Sequence, residues 1–95
     1  MEDGKELIRK HIVFYGWVQG VGFRHRATHA ANLNGDTGWV RNDPGSTVTM
    51  EIQGTEEQID KVIVSIERGS YVLIAHMEVT TVPVIGNDRE FRAIR

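Results

Sequence analysis

The chain reads as an α+β sandwich in which two helices lie on one face of an antiparallel sheet, with the elements in the order β-α-β-β-α-β and one short strand to finish. Three observations lead there. Apolar residues alternate at period two over 9–15, 37–42, 47–53 and parts of 72–84. They recur at helical spacing from Phe23 to Ala31 and from Ile59 to Ile66. Gly, Asn, Asp and Pro punctuate each change of period.

Each element has its own signature. Residues 1–7 are polar and charged and are expected to form a loose terminus. In the first strand, Arg9 to Tyr15, Ile12 and Phe14 fall on one face and His11, Val13 and Tyr15 on the other. Phe23, Ala27, Ala30 and Ala31 give a first helix, Val21 to Leu33, a narrow face of small residues that can lie close on a sheet, and Asn34-Gly35-Asp36 stops it. A hairpin follows. Its strands are Thr37 to Asn42 and Thr47 to Gln53, joined by Asp43-Pro44-Gly45-Ser46, with Val48, Met50 and Ile52 inward and Thr49, Glu51 and Gln53 outward.

Thr55-Glu56-Glu57-Gln58 fits a capping box, opening a second helix whose stripe is Ile59, Val62, Ile63 and Ile66 and whose cap is Gly69. Residues 72–84 are β-rich, and Pro83 points to a sheet edge. Gly86-Asn87-Asp88 turns into the last short strand, Glu90 to Ile94. This is the order of a ferredoxin-like sandwich, where the first and second strands are parallel with the third between them. That topology brings the loop after the first strand and the end of the second strand to one sheet edge.

At 95 residues, 40% hydrophobic and 25% charged, a single domain spanning 1–95 is expected. A net charge of −2 gives no basic footprint for nucleic acid, and the central strands lack an aromatic-rich basic RNA-binding motif. The absence of cysteine excludes a disulfide framework and a thiolate metal site. No apolar run approaches the ~20 residues of a membrane span, so a cytoplasmic protein is the default, and no large apolar patch argues against a monomer.

The stretch Gly16-Trp17-Val18-Gln19-Gly20-Val21-Gly22-Phe23-Arg24 stands between the first strand and the first helix. Glycines there let backbone N–H groups turn inward at a helix start, and Arg24 adds a positive fork: together a cradle for oxyanions, most simply a phosphoryl group. A glycine-rich turn kept only for tight packing has the same composition. A Walker loop is excluded, because Gly22-Phe23-Arg24 stands where Gly-Lys-Ser/Thr is needed, and a dinucleotide fingerprint belongs to a longer doubly wound domain. His25 and His29 have metal-ligand spacing but no third ligand nearby, and read as solvent-facing. Gln19 either braces the loop or is exposed, and Arg41 alternates to the surface.

A second segment, Gly38-Trp39-Val40-Arg41-Asn42, follows. Taken together in this order, the two motifs resemble the signature of the acylphosphatases, hydrolases of carboxyl-phosphate anhydrides, and the resemblance runs from about His11 to Phe91. It implies that Arg24 and the backbone N–H groups of the Gly16–Phe23 loop bind the phosphoryl oxygens. It implies that Asn42 holds the attacking water, and that acetyl phosphate, carbamoyl phosphate or 1,3-bisphosphoglycerate is a family-type substrate, yielding inorganic phosphate. No cofactor or metal is expected. The leaving carboxylate, with a conjugate acid of pKa about 4, departs without a general acid, so positioning and charge stabilisation suffice. A phosphate- or anion-binding module without catalysis is the alternative, since a cradle need not cleave what it holds. The chain departs from the family pattern at Trp17, where many members carry arginine, at Asn34 and Asp36, usually apolar, in the Asp43–Ser46 turn, and in lacking a terminal tyrosine.

Overall fold

The computed structural model describes residues 6–95; of the terminus expected over 1–7, residues 1–5 lie outside the described residues. The elements are β1 (Ile8–Trp17), α1 (Phe23–Asn34), β2 (Thr37–Asn42), β3 (Val48–Gly54), α2 (Glu56–Glu67), β4 (Leu73–Val82) and β5 (Phe91–Ile94). They form one five-stranded sheet in the order β4-β1-β3-β2-β5. β3 lies between β1 and β2 and is antiparallel to both, as the topology requires. β4 takes the outer edge beside β1, where Pro83 ends the run. β5 pairs parallel with β2, which makes the sheet mixed instead of wholly antiparallel.

The core forms where the two apolar stripes meet the sheet. Ile12 and Phe14 of β1, Val40 of β2, and Val48, Met50 and Ile52 of β3 are buried against Phe23, Ala27, Ala30 and Ala31 of α1 and Ile59, Val62 and Ile66 of α2. Burying one large aliphatic side chain stabilises by about 1.5–3 kcal/mol, so this layer dominates the fold's stability.

Most boundaries shift by one or two residues from the sequence reading, and three of the shifts have a clear geometric form. β1 is longer, continuing through a bulge at Tyr15/Gly16 to Trp17. α1 starts at Phe23 and not at Val21, because Gly22 takes a left-handed conformation (φ 81°) that a helix cannot include. α2 is capped by Arg68 in right-handed geometry, with Gly69 following as a donor to Ile66 O and not as a left-handed cap.

One face reading is corrected. Thr49 and Gln53 do point away from the helices, but they are buried. The chain must travel from β4 at one edge to β5 at the other, and residues 83–90 cross that face. Gln53 pins them, donating to Ile85 O at 2.9 Å and accepting from Ile85 N at 2.8 Å. Arg9, only 2% exposed, pairs with Asp88 and Glu51 at 2.8 Å each. Thr49 donates to Asp43 at 2.7 Å. A polar strap covers what alternation alone assigns to water.

Candidate active site

β1 delivers the chain to the top of the sheet. The Cβ that any other residue would bring at Gly16 would strike the Leu73 carbonyl of β4, so the β1–β4 approach at the bulge requires glycine. The loop then turns through Gly20 and Gly22, both at positive φ (74° and 81°) with no atom within 4 Å of an added Cβ. Conformation, not crowding, selects glycine there. Phe23 anchors the start of α1 by packing edge-to-face on Phe14, ring centroids 4.8 Å apart.

The beginning of α1 is left open. Its N-cap is Gly22, no side chain accepts from its first turn, and no acidic residue stands in that turn. Its donors and the positive end of its dipole are therefore available to an anion. Arg24 stands beside them, half-buried, with Nη1 donating to Ile94 O of β5 at 3.3 Å. That contact fixes where the guanidinium lies while leaving other donors of the fork unused.

Asn42 ends β2, opposite Val48, and its position is set by the turn that follows. Asp43 N donates to Thr47 O at 2.9 Å, and the Asp43 carboxylate accepts from Thr47, Thr49 and Arg41 at 2.7–3.0 Å. Burial opposes its ionisation, but these hydrogen bonds prevail and hold the carboxyl below its usual range. Gln19 then ties the loop to the turn, its Nε2 donating to both Asp43 O and Thr47 O at 2.8 Å. The sequence leaves Gln19 undecided between brace and exposed side chain; the structure makes it the brace.

These pieces enclose a cavity of about 230 Å³ lined by Val18, Gly20, Gly22, Phe23, Arg24, His25 and Asn42. Arg24 and Asn42, from different elements, thus share one site, and no acidic residue lines it. Val21 is half-buried and packs on the core. Gly16, Trp17 and Gln19 do not line this cavity. With Val18, Gly45 and Ser46 they line a second one, also about 230 Å³. His25 and His29 are exposed, but His25 also stands at the wall of the first cavity, a placement that helical spacing does not reveal. Arg41 is at the surface, its guanidinium 5.2 Å from the Trp39 ring and paired with Asp43.

Comparison with known proteins shows a family. The family model described as Acylphosphatase matches residues 10–93. A protein named acylphosphatase from Geobacillus kaustophilus is 38% identical over 85 residues, covering 88% of this chain and 90% of that one. One of the same name from Bifidobacterium longum is 36% identical over 86 residues, covering 90% and 89%. Among solved structures, the acylphosphatase from Bacillus subtilis superposes with a TM-score of 0.83 over 93% of this chain and 99% of that one. At 24% identity that last likeness speaks for the fold.

Proposed function

The chain belongs to the acylphosphatase family and hydrolyses acyl phosphates, and from that premise we propose that Arg24 and Asn42 carry the reaction within the loop cavity. The observation that carries the assignment is the cavity itself, which joins an uncapped helix start, an arginine fork and an asparagine amide with no acidic residue among its lining.

The phosphoryl oxygens lie against the backbone N–H groups of the loop and the α1 start, with the Arg24 guanidinium spanning them. The Asn42 side-chain amide holds a water in line with the bond to be broken. The water oxygen bonds to phosphorus and the bond between phosphorus and the bridging oxygen breaks. The electron pair leaves on the carboxylate, and the water's proton passes to a phosphoryl oxygen. No strong base is needed, because the loose transition state demands little of the nucleophile. No metal or cofactor is needed, because the leaving group already departs as a weak base.

Of the family-type substrates, acetyl phosphate, carbamoyl phosphate and 1,3-bisphosphoglycerate all present the same reactive centre. We place the protein in the cytoplasm as a single-domain monomer acting on a small molecule and not on nucleic acid. The net charge of −2 and the absence of any helix long and apolar enough to cross a membrane, among the described residues, support that reading. Family membership disfavours an anion-binding module without turnover.

The test is hydrolysis of benzoyl phosphate, followed by absorbance in excess chelator, for the wild type, Arg24→Ala and Asn42→Ala. Chelator-resistant turnover lost in both variants is expected. Turnover abolished by the chelator would overturn the metal-free mechanism, and a fully active Asn42→Ala would remove the water-positioning role.

A further inference from the structure

An acyl phosphate has two chemically unlike halves, and the loop borders two cavities that differ in the same way. One holds Arg24, Asn42 and the open start of α1. The other, of equal volume, is lined by Gly16, Trp17, Val18, Gln19, Gly45 and Ser46, none of which carries a charge. Val18 lines both, so the two adjoin across a single residue of the loop. We infer that the second cavity receives the acyl group, and that Trp17 makes the enzyme select aromatic or large apolar acyl phosphates over acetyl phosphate. This inference rests on the acylphosphatase reading of the first cavity and adds the substrate class to it.

Trp17 carries the inference. Its side chain is 72% exposed, although an indole is among the costliest groups to leave in water. It is the last residue of β1, paired across the ladder with Leu73 of β4, itself 61% exposed. The strand and its bulge hold the backbone of Trp17 at the cavity rim. The opposite wall, Gly45 and Ser46, belongs to the β2–β3 turn, and Gln19 fastens that turn to the loop with two hydrogen bonds of 2.8 Å. The cavity is therefore a built space between two braced segments. A planar acyl group placed there covers the indole face and keeps its phosphoryl end beside the cradle.

The chemistry of selection follows. A neutral acyl group gains little from the charged cavity and much from an apolar ring, and one aromatic contact changes discrimination roughly tenfold. The wild type is expected to have a higher kcat/KM for benzoyl phosphate than for acetyl phosphate. In Trp17→Ala that preference should fall about tenfold, mainly through the KM for benzoyl phosphate, while Trp17→Phe retains most of it. Competitive inhibition by inorganic phosphate reads the cradle alone and should not follow the preference.

The measurement compares both substrates and phosphate inhibition in wild type, Trp17→Ala and Trp17→Phe. Parallel losses for both substrates together with weaker phosphate inhibition would overturn the inference, making Trp17 a support of the cradle. An unchanged preference in Trp17→Ala would overturn it too. Absence of turnover in the folded wild type would instead sink the reading of the first cavity. Calorimetric binding of benzoylphosphonate and acetylphosphonate then decides the acyl site by itself, since a tenfold preference lost in Trp17→Ala supports it and equal affinities refute it.

Discussion

The two helices of this domain have the same length, twelve residues, and opposite beginnings. α2 closes its own N-terminus. Thr55 accepts from Gln58 N at 3.1 Å, Gln58 Oε1 accepts from Thr55 N at 2.8 Å, and Glu56 and Glu57 answer the dipole. α1 does none of this: its cap is a glycine, its first turn holds no acid, and its third position beyond the cap is a histidine. Against the glycine that caps α1, an N-cap side chain would add only about a few tenths of a kcal/mol, and α1 forgoes that. It is held instead by Phe23 on Phe14, by the close packing of Ala27, Ala30 and Ala31, and by the left-handed Gly35 at its C-terminus. The candidate site lies where one helix start is left uncapped.

The most damaging way to disturb the open end is to replace its charged fork. Arg24→Lys keeps the charge but loses the planar arrangement of donors. Removing one preorganised oxyanion donor costs about 10²–10³ in rate, and this change removes more than one. The lysine variant should therefore lie within about tenfold of Arg24→Ala in kcat/KM, both at least 10²-fold below wild type. A lysine variant with near wild-type activity would reduce the open helix to a site for a point charge.

The next effect concerns the closed end. Asp36, between α1 and β2, is 2% exposed, and neither carboxylate oxygen has a hydrogen-bond partner among the described residues. It sits against Gly54, where an added Cβ would come within about 3.0 Å of its Oδ2, and close to Gln58. The capping box has already engaged the side chain of Gln58 with Thr55, and its Nε2 donates to Asn34 O. No side chain among the described residues donates to Asp36. Burial, opposed only in part by its own backbone N–H, pushes its pKa up to about 7.

The sign follows from the direction of the shift. The folded pKa is raised above an unfolded value of 3.8, so the protonated acid is tolerated below about pH 4 and stability is lost as pH rises towards and through 7. At 1.36 kcal/mol for each pKa unit, the loss approaches about 4 kcal/mol at pH 8 as an upper bound. Asp36→Asn, neutral throughout, should gain about 2–4 kcal/mol over wild type between pH 4 and pH 8 in denaturant unfolding. A difference that stays flat with pH would show that the carboxylate finds solvent or a donor.

A smaller effect separates charge from conformation at the open end. Asn tolerates the left-handed backbone of Gly22 better than most residues, and Asp has nearly the same shape with a charge. Gly22→Asp should bind inorganic phosphate about tenfold more weakly than Gly22→Asn, a gap that narrows in high salt because screening weakens the repulsion. Equal affinities would mean that the α1 start does not face the anion.

Most of the fold, and the meeting of Arg24, Asn42 and the glycine loop at one candidate site, are legible in the sequence because local chemistry and topology coincide there. The capping box at Thr55–Gln58 is written in adjacent residues and observed as such. Topology alone places Asn42 beside the glycine loop, and both line one cavity. What was not legible depends on long-range partners. Gln53 reads as solvent-facing by alternation, yet the segment it binds lies more than thirty residues away, and Thr49, read the same way, is buried with its hydroxyl on Asp43 of the neighbouring turn. Gln19 becomes a brace only once the β2–β3 turn is beside it, and a glutamine carries no local mark of that. The parallel pairing of β5 depends on where the strap lands, which no periodicity in four residues encodes.

The mildest perturbation tests whether the two helix ends are independent. Thr55→Ala removes the side-chain acceptor of the α2 box and should cost about 1 kcal/mol. For a domain of this size that lowers Tm by roughly 4–8 °C. Thr55 lines neither cavity of the loop, so kcat/KM at 25 °C should hold at the wild-type value while the protein remains folded. If activity fell with stability well below the melting transition, the α2 cap would be supporting the site through α1, and the two ends would be one mechanical unit. Unchanged activity in a less stable protein is the outcome expected of a fold that closes one helix start with its own side chains and leaves the other uncapped beside the cavity.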